Sequence, residues 1–225
     1  MAVVTLLGLC GLVFFFWLKW PHWMEERPWP TSLPLWGGRF FEKKILTPVM
    51  HYSQSDPRWG GERLANTPAT LAAEGCAVAA AAMALAAKGA SLNPGELNGA
   101  LRDFPGGFTP QGWIYWEAAA AVAAQGRVKY VYEGPPDFSR MDAELLRGNP
   151  VIVRLRLTSG QMHFVVAVGK EGFDFLVSDP ADGPGAEPRP LSSVGGEITG
   201  MRFYLERPPF FNRQFLVPVP VVLVQ

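Results

Sequence analysis

An uncharged and almost purely apolar run opens the chain, from Met1 to Leu18. As a helix rising ~1.5 Å per residue it would span about 27 Å, close to the ~30 Å hydrocarbon thickness of a bilayer. Lys19 and Trp20 follow, and both are residue types that sit at membrane interfaces. The pattern predicts a single transmembrane anchor over residues 1–19. A signal peptide and a buried core helix are the alternatives. The first is disfavoured because there is no basic start and no small-residue cleavage site, the second because a Pro/Trp-rich stretch follows.

Two proline-rich segments flank the central region of the chain. Residues 20–48 hold five Pro and four Trp, which predicts an extended linker lying along a surface. The tail over 207–225 contains an apolar segment broken by Pro218 and Pro220. Proline excludes it from a helix or a central strand. An edge strand or an extended arm, covered by its own domain, a membrane or a partner, is expected.

Helical patterns come first in the central region, residues 49–206. The most apolar of them is an alanine-rich helix that starts at Gly75-Cys76 and stops at Lys88-Gly89. Three further helices are expected after it. The first is short, is capped by Asn93 or Ser91 and reaches Leu97, and the other two cover about 113–125 and about 138–147.

After residue 150 the period changes to that of strands. Strands are predicted over 151–157, 163–169, 173–179 and about 200–205, and the first three are separated by short turn sequences typical of hairpins. Helices first and an antiparallel sheet second predict an α+β domain.

The amino-acid composition restricts the partners and cofactors that the chain is expected to bind. Lys plus Arg equals Asp plus Glu at 20 each, and no basic run is interleaved with aromatics, which disfavours a nucleic-acid partner. The chain has two cysteines, Cys10 and Cys76. No disulfide framework, no zinc spacing and no cofactor motif is expected. A metal site formed by Cys76, His163 and Asp179 has little support, since no second His lies at ligand spacing.

Cys76 is the candidate nucleophile. At the start of the alanine-rich helix, a thiolate is stabilised by unpaired backbone N–H groups and the positive end of the helix dipole. His163, at the beginning of a predicted strand, is the candidate base, and Asp179 closes the neighbouring strand. A hairpin would hold His163 and Asp179 side by side, so that the carboxylate orients the imidazole. Taken singly, each residue also fits an ordinary structural role, as a core thiol, a buried histidine or a turn aspartate. Gln54, upstream, could donate its amide to an oxyanion.

Several motifs occur in order along the chain. They are Tyr52-x-Gln54-x-Asp56-x-x-Trp59, Glu74-Gly75-Cys76-Ala77, Asn93-Pro94-x-Glu96-Leu97, Gly148-Asn149-Pro150, His163-Phe164-Val165-Val166 and Val177-Ser178-Asp179-Pro180. In this order the chain, from about residue 52 to 190, resembles the papain-like cysteine peptidases related to bacteriocin-leader-processing, double-glycine-type proteases.

That resemblance implies a papain-like fold with Cys76 as nucleophile, His163 as base, Asp179 as the orienting residue and Gln54 as oxyanion donor. The chain departs from the family in the plain Ala77-Val78-Ala79 sequence after the cysteine and in its lack of a transporter-like region.

Two functions remain open at this stage. One is a membrane-tethered thiol-dependent peptidase or amide hydrolase that acts on a peptide or protein. The other is a catalytically idle subunit that keeps the peptidase fold within a membrane protein complex, with the Trp-rich linker and the tail as contacts to lipid or partner. Lys19 and Arg27 after the apolar run favour a cytoplasmic domain, whereas the resemblance favours, slightly more strongly, an extracytoplasmic one.

Overall fold

The computed structural model describes residues 32–207. The predicted anchor over 1–19, the first part of the predicted linker and all but the first residue of the predicted tail lie outside these residues. Within 32–207, no helix is both long enough and apolar enough to cross a membrane.

Five α-helices form between residues 71 and 146. They are α1 (Leu71–Glu74), α2 (Cys76–Ala86), α3 (Pro94–Asp103), α4 (Trp116–Ala124) and α5 (Phe138–Leu146). The predicted Asn93 cap is confirmed: Asn93 and Glu96 form a reciprocal capping box at the start of α3. Thr70 caps α1, and α2 begins directly after Gly75.

A mixed fold of helices and one antiparallel sheet results, as predicted. The strands are β1 (Trp36–Leu46), β2 (Val128–Glu133), β3 (Val151–Arg156), β4 (Met162–Ser178), β5 (Arg189–Pro190) and β6 (Glu197–Glu206). Their order across the sheet is β1-β4-β3-β6-β2, with β5 paired to β4.

Three of these strands, β1, β2 and the two-residue β5, were not expected. β1 occupies part of the segment predicted as a linker, and its antiparallel pairing with β4 places it in the sheet. β2 forms six pairs with β6, from Val128 opposite Glu206 to Glu133 opposite Met201. No strand was predicted over this segment, and its pairing with β6 places it in the sheet.

The two predicted strands 163–169 and 173–179 appear as one continuous element, β4. An extended strand would separate His163 from Asp179 by about 50 Å at ~3.3 Å per residue. Their side chains are 2.6 Å apart, so the chain must reverse within the element. Gly172, with a left-handed φ of 62°, lies in the exposed stretch where the reversal is expected. The predicted hairpin is therefore present inside β4.

Apolar residues fill both faces of the sheet. Helices α1 to α4 cover one face, where the largest buried cluster joins α2 to the strands through Ile152 and Val166. Helix α5 covers the other face, where Met141 and Leu145 meet residues from both arms of the β4 hairpin. The ends of β4 and the N-terminus of α2 meet at the border of these layers, which is where the candidate site lies.

A buried ion pair ties β1 and α5 to the hairpin. Lys170 Nζ donates to the carboxylate of Asp142 and to the carbonyl of Gly37, each at 2.6 Å. The second oxygen of Asp142 accepts from the backbone N–H of Arg39. The side chains of Lys170 and Asp142 are only 1% and 2% exposed, so the charges are compensated locally and not by water.

Candidate active site

Cys76 is the first residue of α2, where backbone N–H groups have no partner within the helix. The thiol is free and partly exposed. The preceding residue has to be glycine because a Cβ on Gly75 would lie 2.4 Å from the carbonyl oxygen of Leu71. The close approach of α1 to Gly75 therefore fixes where α2 begins, and with it the position of the sulfur.

His163 lies near the start of β4, opposite Leu155 of β3. Its Nε2–H donates to Asp179 Oδ1 at 2.6 Å, and Cys76 is close enough to the imidazole to affect its pKa. Because Nε2 is committed to the carboxylate, Nδ1 is the nitrogen left for the sulfur. Burial alone lowers the pKa of His163, but the hydrogen bonds and charges of Asp179 and Cys76 raise it to about 9. At neutral pH the ring is held as an imidazolium.

Asp179 follows the second arm of the hairpin and is 2% exposed. Burial alone would raise the pKa of this carboxyl, but the hydrogen bond from His163, the backbone N–H of Ala181 and the charge of Arg189 together lower it. The carboxylate is therefore ionised and has a partner on each oxygen.

Arg189 is a residue that the sequence did not point to. Its Nη2 donates to Asp179 Oδ2 at 2.6 Å and its Nε to Asp182 Oδ2 at 2.8 Å. It lies on β5, opposite Val177 of β4. A strand of two residues leaves no periodic signal in a sequence. Only the cross-strand pairing brings this guanidinium to the carboxylate that holds the imidazole.

Gln54 lies in the loop before α1 and reaches the same region. Its backbone N–H donates to the carbonyl of Pro180, next to Asp179, and its side-chain Nε2 donates to the carbonyl of Ala72 at 2.8 Å. The amide nitrogen has a second hydrogen to offer. The loop is thus tied both to the hairpin end and to α1, which ends two residues before Cys76.

One cleft of about 890 Å³ is lined by all four predicted site residues, Gln54, Cys76, His163 and Asp179. The cleft wall is formed by α1, α2 and the loop before α4 on one side and by β3, β4 and β6 on the other. Among residues 32–207 there is no group of three His, Cys, Asp or Glu side chains placed to hold a metal ion. The arrangement offers a partly exposed thiol, a hydrogen-bonded imidazole and a buried carboxylate.

A thiol at a helix N-terminus facing a histidine on an antiparallel sheet makes this domain cysteine peptidase-like. Within that class, the chain belongs to the Peptidase_C39 like family, whose model matches residues 47–190, well over half of the chain. Searches of curated proteins and of solved structures gave no match. The family supports the predicted resemblance to cysteine peptidases.

Proposed function

We propose that the chain is a thiol-dependent peptidase or related amide hydrolase that acts through Cys76, His163 and Asp179. The observation that supports it most is the 2.6 Å hydrogen bond from the His163 ring to the Asp179 carboxylate, with Cys76 lining the same open cleft. The raised pKa of His163, about 9, favours an imidazolium beside the Cys76 sulfur at neutral pH.

In the first half of the reaction, Cys76 Sγ attacks the carbonyl carbon of the scissile amide and a C–S bond forms. The charge that develops on the carbonyl oxygen is stabilised by the backbone N–H of Cys76 and by the amide of Gln54. The C–N bond then breaks, and the His163 imidazolium gives its proton to the leaving amine. The products are a thioester on Cys76 and a free amine.

In the second half, the now neutral His163 takes a proton from water, and the resulting hydroxide attacks the thioester. The C–S bond breaks, the acid leaves, and the thiolate–imidazolium pair is restored. Asp179 keeps the ring oriented with Nδ1 toward the sulfur throughout, and compensates the imidazolium charge. Arg189 holds the carboxylate in place from its other oxygen.

Hydrolysis of a peptide library by the full chain tests this proposal, with Cys76→Ala as the key variant. The chain has only one other cysteine, so Cys10→Ser leaves Cys76 as the sole thiol and serves as the matched control. We expect Cys76→Ala to abolish hydrolysis and Cys10→Ser to retain it. A Cys76 that alkylates readily in a chain that cleaves no peptide would instead favour an idle peptidase-fold subunit.

Membrane tethering is a separate proposal that rests on the apolar run of residues 1–18. Extraction of cell membranes with alkaline carbonate and then with detergent tests it. We expect the full chain to leave the membrane only with detergent, and a variant lacking residues 1–19 to appear in the carbonate supernatant. Release of the full chain by carbonate alone would contradict tethering without bearing on catalysis.

A further inference from the structure

The strand side of the cleft carries a guanidinium that the proposed reaction does not use. Arg154 lies on β3, paired with Phe164, the neighbour of His163, on one side and with Gly200 on the other. Its Nε donates to Thr199 Oγ1 at 3.1 Å and its Nη2 to the carbonyl of Thr199 at 2.9 Å. A Cβ on Gly200 would lie 3.4 Å from Arg154 Nε, so the guanidinium lies flat against the neighbouring strand.

No carboxylate in the described part of the chain compensates the charge of Arg154. Among residues 32–207, no Asp or Glu forms an ion pair with it, whereas Arg156 on the same strand pairs with Glu197 and Arg189 pairs with Asp179 and Asp182. Thr199 supplies only neutral acceptors. A guanidinium has five N–H donors in a planar fork, so the two bonds to Thr199 fix its orientation and leave donors for a ligand.

Arg202 adds a second positive charge to the same wall. Arg202 on β6 pairs with Ile152 on β3, and both residues lie two positions along their strands from the Arg154–Gly200 pair. Side chains two residues apart on a strand share a face, so the two arginines are diagonal neighbours, about 7–8 Å apart at their Cα atoms. The Arg202 guanidinium lies 4.5 Å from the centre of the Trp116 ring and 5.1 Å from that of Phe164. Both arginines line the cleft with His163.

We propose that Arg154, with Arg202 beside it, is a specificity site for the carboxylate of an Asp or Glu side chain in the peptide substrate. An anion beside Arg154 would accept from the N–H donors that Thr199 leaves available. A carboxylate also matches the planar fork of Arg154. Glu74 lines the helical side of the cleft, so the acidic residue is favoured on the strand side. The inference rests on the proposed peptidase function.

The test is cleavage of a synthetic random peptide library with amidated C-termini, so that only side chains carry carboxylates, with products read by mass spectrometry. We expect the full chain to enrich Asp and Glu at one position near the scissile bond. Arg154→Gln should reduce kcat/KM for these peptides about tenfold, and leave that for their Gln/Asn counterparts within about twofold.

Arg154→Lys keeps the charge and should retain part of the preference. Arg156→Gln removes the same charge from the same strand outside the cleft, and should leave the preference unchanged. Melting temperatures of all variants identify any that fail to fold. Absence of acidic enrichment, or enrichment that survives Arg154→Gln, overturns the proposal while the peptidase function stands.

A second measurement does not depend on hydrolysis. Iodoacetate and iodoacetamide both alkylate Cys76 with loss of iodide, but only iodoacetate carries a carboxylate. We expect the ratio of their rate constants at Cys76 to fall about twofold in Arg154→Gln and not in Arg156→Gln. If the full chain cleaves no peptide, the peptidase proposal fails and this ratio decides the inference: a fall supports a carboxylate site, and an unchanged ratio overturns it.

Discussion

His163 and Asp179 lie sixteen residues apart in the chain and are joined by a hydrogen bond of 2.6 Å between Nε2 and Oδ1. They stand at the two ends of one hairpin, so a single local reversal at Gly172 brings base and carboxylate together. The pair needs no long loop closure, and its geometry follows from the register of one element. Cys76 is the long-range component of the site, because the packing of α2 on the sheet brings it to the ring.

Removing the Asp179 charge should change how the imidazole titrates. We expect Asp179→Asn to lower the pKa of His163, since the hydrogen bond and charge of Asp179 are among the interactions that raise it to about 9. The alkaline limb of kcat/KM should move down by about one pH unit or more, and kcat should fall about tenfold or more. Asp182→Asn is the matched control, since Asp182 also binds Arg189. Equal pH profiles for the two variants would contradict the assignment.

Activity of the unmodified chain should fall on the alkaline side of pH 9. The imidazolium of His163 supplies the proton for the leaving amine, and it is lost as the pH rises through its pKa of about 9. Below that pH His163 keeps its proton, so loss of this proton does not reduce kcat/KM there. The measurement is kcat/KM on one peptide between pH 6 and 10.5. An alkaline limb centred near pH 6.5, the ordinary pKa of a histidine side chain, would be inconsistent with the hydrogen bond to Asp179.

Arg189 should control the acid stability of the domain. Its charge is one of the interactions that lower the pKa of Asp179. A carboxyl with a lowered pKa contributes stability above its unfolded pKa and loses it as the pH falls through the folded value. Arg189→Gln should raise the folded pKa, so acid unfolding should begin at a higher pH. Circular dichroism during acid titration measures this, with Arg156→Gln as control. Coincident curves for the two variants would exclude the role.

Gln54 should act on the transition state and not on folding. We expect Gln54→Ala to lower kcat by about 10²–10³, the usual cost of losing one oxyanion donor, with KM little changed. The neighbouring Ser55→Ala should retain activity. Alkylation of Cys76 by iodoacetamide develops no oxyanion, so its rate should stay within about twofold in Gln54→Ala. A parallel loss of alkylation and hydrolysis would show that Gln54 acts on the thiol itself.

Gly75→Ala should disturb the start of α2. The added Cβ would meet the backbone carbonyl of Leu71 at 2.4 Å, and backbone cannot yield as a side chain does. We expect a loss of about 1–3 kcal/mol in unfolding free energy and slower labelling of Cys76. Gly99→Ala in α3 is the control, because nothing lies within 4 Å of its Cβ. That change should stabilise by up to about 1 kcal/mol. Urea unfolding of both variants gives the comparison.

The parts of the fold that follow from local sequence were predictable. The Asn93 cap, the extent of α5 and the strand that carries His163 depend on periods and caps within one segment. The pairing of His163 with Asp179 also follows from a short turn between two apolar strands. What the sequence could not reveal is how the hairpin continues without interruption into pairing with β1, which keeps its turn residues in the sheet.

The elements that were missed depend on partners far away in the chain. β1 contains two glycines and several charged residues, which are poor strand formers, and it is stabilised by β4 and by the Lys170–Asp142 pair. β2 exists as a partner of β6. Arg189 reaches Asp179 through a two-residue strand, and Arg154 enters the cleft through the register of three strands. Tertiary pairing, not propensity, places these residues.

The buried contact of Lys170 with Gly37 and Asp142 has a mechanical consequence. β1 pairs on both sides of the hairpin reversal, Trp36 with Asp174 and Leu46 with Gly169. Tension on the chain ahead of Trp36 would therefore pass through β1 and this ion pair into the tip of the hairpin. The other ends of the two hairpin arms carry His163 and Asp179. A pulling force on β1 would therefore also act on the hydrogen bond that orients the His163 ring.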